Sequence, residues 1–309
     1  MWNTANFVPG HLASVTPFWE SEILSTCNEV ERNMCMGWLE GVKVHDFVDV
    51  KAKGVFQGHV YNGADLTPIH LQNHVREEHR QFVDTQIASY VDTGVVAPWS
   101  EVADITIHPK PRMVMPLGVE PSKPRAFLDA RYLNLMCEPK PFTMDGAGKV
   151  AQIAWQGAFQ MTCDHKAGFH HVALDKASWE CFGFEWGGKY FVFTTLCFGW
   201  CSSPFIYHTL SAMVARYLRT KGVPVLTWID DFYFTNFRAT RTWEQARQFQ
   251  AAKAAAYLVM SVFYKAGYFM SIKKCELEPT TSIVFLGVRC DSALQRFIIP
   301  EDKFTSWRH

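Results

Sequence analysis

Apolar and polar positions along the chain sort it into short alternating runs and a few long helical stretches. From Pro68 to Thr93 (PIHLQNHVREEHRQFVDTQIASYVDT) an apolar stripe runs through Val75, Phe82, Ile87 and Tyr90 or Val91 and stops at Gly94, which predicts a helix. DITIHPKPRMVMPLG alternates briefly between prolines and reads as a hairpin with a basic rim. ECFGFEW and KYFVFTTL flank Gly187-Gly188, where a two-residue hairpin turn needs positive φ. After Ser202-Ser203-Pro204 a helix runs to Lys221 and stops at Gly222 and Pro224. The serines are placed to cap it, proline suits its first turn, and Arg216, Arg219 and Lys221 gather at its C-terminal end. Trp243 to Lys265 is a second long helix with Phe249, Ala252, Ala256, Val259 and Phe263 on one side, and SIVFLGVRC reads as a strand. Residues 1 to about 70 scatter Trp and Phe among Gly, Pro and Asn and are expected to form an extension with little regular structure. Helices mixed with antiparallel hairpins make an α+β fold the expectation, over a doubly wound sheet.

One apolar run breaks the alternation. TWIDDFYF, Thr227 to Phe234, sets two adjacent aspartates among aromatic residues. Successive strand residues face opposite sides, and aspartate is a poor strand former. Either the pair occupies a tight turn, or its charges serve chemistry, or both. A second aspartate context resembles it: Asp164 follows the strand-like AFQMTC and opens DHKAGF. If the two strands are sheet neighbours, Asp164, Asp230 and Asp231 converge. Carboxylates so close raise one another's pKa unless cations intervene. Magnesium takes oxygen ligands and leaves positions for phosphate oxygens. Two such ions ~3.5–4 Å apart clamp the attacking and leaving oxygens of an in-line phosphoryl transfer. Taken singly, Asp230-Asp231 reads as a polar hairpin turn and Asp164 as a cap.

Composition narrows the class. The 309 residues suffice for one large domain or two ordinary ones, 48% are apolar, and Lys plus Arg equals Asp plus Glu at 30 each. Overall charge therefore points to no nucleic-acid partner, and any such surface must be local. Nine cysteines without a CxxC pair suggest a reducing compartment rather than a disulfide framework or zinc ribbon. No apolar run approaches the ~18–20 residues of a membrane span, and MWNTANFVPGHLASV lacks the features of a secretory signal. An intracellular protein, cytoplasmic or nuclear and without a membrane partner, is the expectation.

A local basic surface is available. Lys110, Arg112, Lys123, Arg125 and Arg131 lie close together against only Glu120 and Asp129. Lys123 and Arg125 could meet a triphosphate, one as a point charge and one by its fork; a lysine-guarded hairpin edge is the plainer reading. Phe169, five residues after Asp164, could floor a nucleotide sugar and collide with a ribose 2′-hydroxyl, or simply fill core. In Leu196-Cys197-Phe198-Gly199-Trp200 the glycine permits close approach of a base to the backbone, or marks a strand-to-helix corner.

Read in order, these segments resemble the reverse transcriptases of retroelements and retroviruses, over roughly residues 70 to 300. KPRAFLDARYLN resembles the fingers motif that holds the incoming triphosphate, with Lys123 and Arg125 supported by Asp129 and Arg131. MTCDHKAGFHHV resembles the first catalytic motif, with Asp164 as metal ligand and Phe169 as sugar-discriminating ring. LCFGWCSSPFIYHTL resembles the nucleotide- and template-contacting motif around Phe198 and Gly199. WIDDF resembles the aromatic-x-Asp-Asp hairpin, with Trp228 where tyrosine or phenylalanine is usual, and Cys197 replaces a common proline. IKKCELEPTTSIVFLG is similar to the last palm motifs, with Lys273 or Lys274 near pyrophosphate and Phe285, Leu286 and Gly287 as primer grip. The flavour is similar to Gypsy-type and DIRS-type retrotransposon enzymes.

The resemblance implies a right-hand polymerase, fingers and palm, with a central antiparallel sheet packed on helices. Fingers would span about 71–140 and 172–204, palm about 141–171 and 205–290, after an extension of 1–70 and before the truncated start of another subdomain at 291–309. It implies RNA-directed DNA synthesis with Asp164, Asp230 and Asp231 as catalytic metal ligands for two Mg2+ (Mn2+ in their place), a primed RNA or DNA template, and deoxynucleoside triphosphates. Thumb and RNase H regions would lie elsewhere on a longer polyprotein. A thumb-less fragment that only binds nucleic acid, and a purely structural interaction protein, are the competing expectations.

Overall fold

The computed structural model describes residues 6–120 and 124–300. Two sheets organise the chain. One has five strands in the order Ile69–His70, Met113–Val114, Gly183–Trp186, Lys189–Phe193, Val96–Pro98, parallel at its first two pairings and antiparallel at the rest. The other is the expected antiparallel sheet, ordered Val225–Trp228, Asp231–Thr235, Gln160–Asp164, Glu276–Thr280. The helix Ser203–Thr220 packs on the first strand of that sheet and on the helix Gln245–Lys265, which packs on the last. Their apolar faces explain this: Ile206, Leu210, Val214 and Leu218 of one, and Ala252, Val259 and Phe263 of the other, are buried at helical spacing.

Local chemistry sets the ends of these elements. Gly187 and Gly188 have φ of 57° and 73°, the two left-handed positions of a type I′ hairpin turn. Pro204 occupies the first turn of the Ser203–Thr220 helix, but the serines do not cap it; the Ser203 hydroxyl donates instead to the Cys197 carbonyl at 2.8 Å.

Several expected elements differ. The helix foreseen from Pro68 begins only at Arg80, after a single turn at Glu77–His79. Upstream, the Ile69 amide bonds Arg112 and the Leu71 amide bonds Val114, so long-range pairing overrides the local helical stripe. The stretch around Met113 is not a hairpin on itself. Pro109, Pro111 and Pro116 remove amide donors, Met113–Val114 joins the large sheet, and Leu117–Val119 pairs with Ala126–Leu128. SIVFLGVRC is not one strand but two, Ser282–Phe285 and Val288–Asp291, joined at Leu286 and Gly287, both at positive φ. Arg296–Ile298 adds a third strand there, and residues 301–309 lie outside the described ones.

The N-terminal stretch is far more regular than its composition suggests. It holds the helix Glu29–Glu40, capped by Asn28 through the Glu31 amide, and a hairpin of Lys53–Phe56 with His59–Asn62. Trp19 and Trp38 anchor it to the rest of the chain. Trp19 is fully buried and donates its indole N–H to the Ala266 carbonyl at 2.9 Å. Leu12, Trp19, Trp38 and Phe47 belong to the same core as Phe182, Trp200 and Phe263.

Candidate active site

Register brings the carboxylates together. Asp231 sits directly opposite Asp164 across the antiparallel pairing of their strands, where facing Cα atoms lie about 4.5–5.5 Å apart. Asp230 occupies the two-residue turn between Trp228 and Asp231. Gly168 folds back against that turn, its Cβ position 3.6 Å from an Asp230 carboxylate oxygen. All three aspartates therefore gather at one end of the sheet.

Their electrostatics follow from this crowding. Asp164 is buried, with Oδ1 lacking any hydrogen-bond partner and Oδ2 3.7 Å from the Lys274 ammonium. Burial first, and then the charges of Asp230 and Asp231 against the relief of Lys274, push its carboxyl up to about 7. Burial, reinforced by the Asp231 charge, also raises Asp230.

Among the described residues no group of three or more His, Cys, Asp or Glu is so placed that it could hold a metal ion. An orphaned buried oxygen and mutually repelling carboxylates nevertheless fit an oxygen-seeking divalent cation. Magnesium characteristically uses one or two carboxylates, keeping its other positions for water and substrate phosphates.

The turn carrying Asp230 is strained and held. Ile229 has φ of 57°, a conformation that is an outlier for a β-branched residue. Positive φ at the first central position is the mark of a type II′ turn. The Ile229 amide donates to His208 Nδ1 at 3.4 Å, while His208 Nε2–H donates to the Thr143 carbonyl at 3.1 Å. That pattern requires the neutral imidazole, and burial lowers the His208 pKa accordingly. One residue pair back, Asp145 Oδ2 accepts the Thr227 amide at 3.1 Å and Arg219 at 3.2 Å, and Oδ1 accepts Lys149 at 2.8 Å. Sequence reading missed both His208 and Asp145. Neither lies at any telling spacing from the aspartates, and only tertiary folding brings them to the hairpin.

A second group lies beside the first. Arg125 is exposed, its guanidinium 4.4 Å above the Phe198 ring, a cation–π arrangement. Phe198 packs on Phe169 at 4.8 Å, and Phe169 on Tyr207 at 5.6 Å. The Arg125 charge reaches Asp230, whose carboxyl it helps to hold ionised. Phe169 is mostly covered, at 7% exposure. Gly199 lies at φ 111°, and a Cβ there would strike the Leu128 carbonyl. That close approach lets the Leu128 amide reach the Phe198 carbonyl at 3.0 Å, tying the Phe198 loop to the strand that follows Arg125. Asp129 and Arg131 form a two-bond ion pair at 2.7 and 2.8 Å. Burial works against its ionisation, but the Arg131 hydrogen bonds hold the Asp129 carboxyl below its usual range.

Lys123 lies outside the described residues. Of the two candidate lysines, Lys274 is the one beside Asp164. Trp228 faces Asp231 across the hairpin and is 36% exposed. Phe285 is buried in a small separate core, its ring 5.4 Å from Tyr233. Tyr233 stands two residues after Asp231 and so on the same face of its strand, which puts Phe285 on the carboxylate side of the sheet, with Leu286 and Gly287 at the half-buried turn that follows.

A family described as reverse transcriptase (RNA-dependent DNA polymerase) matches residues 123–290. The Pro-Pol polyprotein of Simian foamy virus type 3 (strain LK3) is 25% identical over 206 residues, covering 66% of this chain and 16% of that protein. The Pro-Pol polyprotein of Simian foamy virus type 1 is 25% identical over 195 residues, 63% of this chain and 15% of that protein. This chain thus spans only a small part of the curated relatives it matches. Among solved structures, a foamy viral protease-reverse transcriptase in complex with double-stranded DNA superposes with a TM-score of 0.64 at 18% identity, covering 96% of this chain and 49% of that one. A foamy viral protease-reverse transcriptase with an RNA/DNA hybrid gives 0.60 at 19% identity, covering 96% and 37%. These superpositions establish the α+β fingers-and-palm fold.

Proposed function

This chain belongs to the reverse transcriptase (RNA-dependent DNA polymerase) family, and from that premise we propose that it carries RNA-directed DNA synthesis for a retrotransposon. The observation that carries the reading is the Asp164–Asp231 register pair with Asp230 on the adjoining turn and one buried Asp164 oxygen unpartnered. We assign the fingers to about 71–140 and 172–204 and the palm to about 141–171 and 205–290; four strands of the five-stranded sheet then fall in the fingers, with Ile69–His70 outside them, and the four-stranded sheet falls in the palm.

In this reading the primer 3′-hydroxyl attacks the α-phosphorus of a deoxynucleoside triphosphate, and the bond to pyrophosphate breaks. Asp164, Asp230 and Asp231 would hold two Mg2+, or Mn2+ in their place. Such cations, when bound, stabilise charge on the attacking and leaving oxygens. The rest falls to the chain's own groups. Arg125, splayed on the Phe198 face, offers its N–H fork to the triphosphate, with Lys123 as its partner. Lys274 stands ready for the departing pyrophosphate. The Phe169 ring would lie under the sugar and exclude a 2′-hydroxyl, while Gly199 lets the nucleotide or template base approach the backbone. Trp228 and the Phe285-Leu286-Gly287 segment would meet the primer. A primed RNA or DNA template is the partner. The described residues include no helix long and apolar enough to cross a membrane.

Primer extension on an RNA template with Mg2+ tests this. The chain should extend the primer, and Asp230→Asn should lower the rate on the order of 10³-fold or more, as loss of a principal electrostatic group does, with duplex binding unchanged. A wild-type chain that binds the duplex yet never extends it would leave only a nucleic-acid-binding role.

A further inference from the structure

One tyrosine lies beneath the candidate site without opening onto it. Tyr207 is fully buried on the helix Ser203–Thr220, which packs against the turn Gly168–His171 that carries Phe169. Its ring meets the Phe169 ring edge-on, with centroids 5.6 Å apart and planes at 72°. The other ring against Phe169 is Phe198, at 4.8 Å. Phe198 is half-buried under the Arg125 guanidinium and so belongs to the open side of the site, whereas Tyr207 supports Phe169 from the interior. The tyrosine also reaches the backbone just before Phe169. A Cβ at Gly168 would stand 3.7 Å from Tyr207 Cε1 and 3.6 Å from an Asp230 carboxylate oxygen.

Tyr207 is held at its far end as well. Its hydroxyl shares a 2.5 Å hydrogen bond with the ring nitrogen Nδ1 of His165, the residue that follows Asp164. That imidazole is caged in turn. It stacks on Tyr268 at 4.1 Å, and the rings of Phe232 and Phe263 lie 4.7 Å away. Phe232 belongs to the strand of Asp231, and Phe263 to the helix Gln245–Lys265. Interiors packed this closely pass strain from one side chain to the next. The place of the Phe169 ring is therefore fixed through Tyr207 by elements that also carry the carboxylates.

We propose that Tyr207 is a specificity-determining positioning residue: by fixing the height of the Phe169 ring, it sets how strongly the site rejects a ribose 2′-hydroxyl. This role rests on the polymerase reading, with Phe169 under the sugar. Tyr207 touches no substrate and acts only through Phe169. The group to be excluded is a single added oxygen, so a small movement of the ring decides whether it fits. With a smaller side chain at position 207, Phe169 settles into the vacated volume and a ribonucleotide is accepted above it. His208, the next residue on the same helix, holds the Ile229 turn. One helix thus registers the sugar-facing ring and the carboxylate hairpin against each other.

The test is single-nucleotide extension of a primed RNA template by the full chain with Mg2+, using dGTP and GTP. The readout is the ratio of kcat/KM for dGTP to that for GTP, in which the fraction of folded enzyme cancels. Wild type should prefer dGTP, and Phe169→Ala should lose that preference. Tyr207→Leu should lower the ratio roughly tenfold or more, the scale on which a small change in pocket volume alters selectivity. Tyr207→Phe keeps the ring but not the bond to His165 and should fall between wild type and Tyr207→Leu. Tyr207→Met, long and flexible, takes the place of the leucine variant should that one not fold. A tyrosine that only filled core would alter stability and leave the ratio untouched. A ratio unchanged at position 207 while Phe169→Ala lowers it therefore overturns the proposal and leaves Phe169 its role. A ratio unchanged by Phe169→Ala overturns both, and a wild-type chain that extends nothing overturns the polymerase reading together with the proposal.

Discussion

Asp164 carries two signs of a group awaiting a partner: a buried oxygen with no donor and a carboxyl held near neutrality in its proton affinity. Both come from an apolar, like-charged setting, and that setting was readable in the sequence, where aspartates interrupt aromatic runs. The buried histidines beside them were not readable, since His165, His170 and His171 follow no metal-like or catalytic spacing. His170 shows what such burial does. Its Nδ1–H donates to the Leu196 carbonyl at 3.1 Å, while Nε2 is buried with no partner. Protonation there has no acceptor, and burial lowers the pKa to about 4. The unfolded chain protonates this residue below about 6.5 while the native chain does not. Its stabilising contribution is therefore complete above that value and lost as pH falls toward 4, at about 1.4 kcal/mol per pH unit in that window. His170→Gln removes the term. Relative to the variant, the wild type should lose about 2 kcal/mol between pH 7.5 and 5 in urea unfolding, and parallel curves would contradict this.

At the scale of elements, the hairpin around Asp230 depends on parts scattered along the chain. Ile229 is kept at positive φ by His208 from the Ser203–Thr220 helix, and Asp145 holds the Thr227 amide from a third segment. His208→Ala leaves the Ile229 amide without its acceptor in a turn that already costs about 1–2 kcal/mol. Relaxation of the turn should move Asp230 and reduce primer extension roughly tenfold or more, with a small drop in melting temperature; His208→Asn, which can still accept that bond, should recover part of the activity. Unchanged extension in the alanine variant would show that the turn holds without it. Elements with strong local signals were legible: the Gly187-Gly188 hairpin and the Gln245–Lys265 helix match their sequence patterns. The stretch before Arg80 was not, because its backbone pairs with residues around Met113, a long-range preference that no local window contains.

For the whole molecule, the surprise is how firmly residues 6–60 belong to it. Trp and Phe scattered among Gly, Pro and Asn hid a segment whose Trp19 and Trp38 enter the common core. Trp19→Ala removes a fully buried indole and its bond to Ala266, and should cost about 3–5 kcal/mol. The loss should appear in a single cooperative urea transition; a separate early transition would mean that the segment folds apart from the palm. The polymerase framework itself was legible because its motifs keep their order, and Arg125, Phe198, Phe169 and the three aspartates do assemble at neighbouring positions. The most direct test of the account is a Mn2+ titration followed by electron paramagnetic resonance, with a deoxynucleoside triphosphate present. The wild-type chain should deplete the free-ion signal with a stoichiometry approaching two, as a paired-cation site requires, and Asp164→Asn combined with Asp230→Asn should leave only the depletion caused by the nucleotide itself. Equal depletion by wild type and double variant would contradict the account.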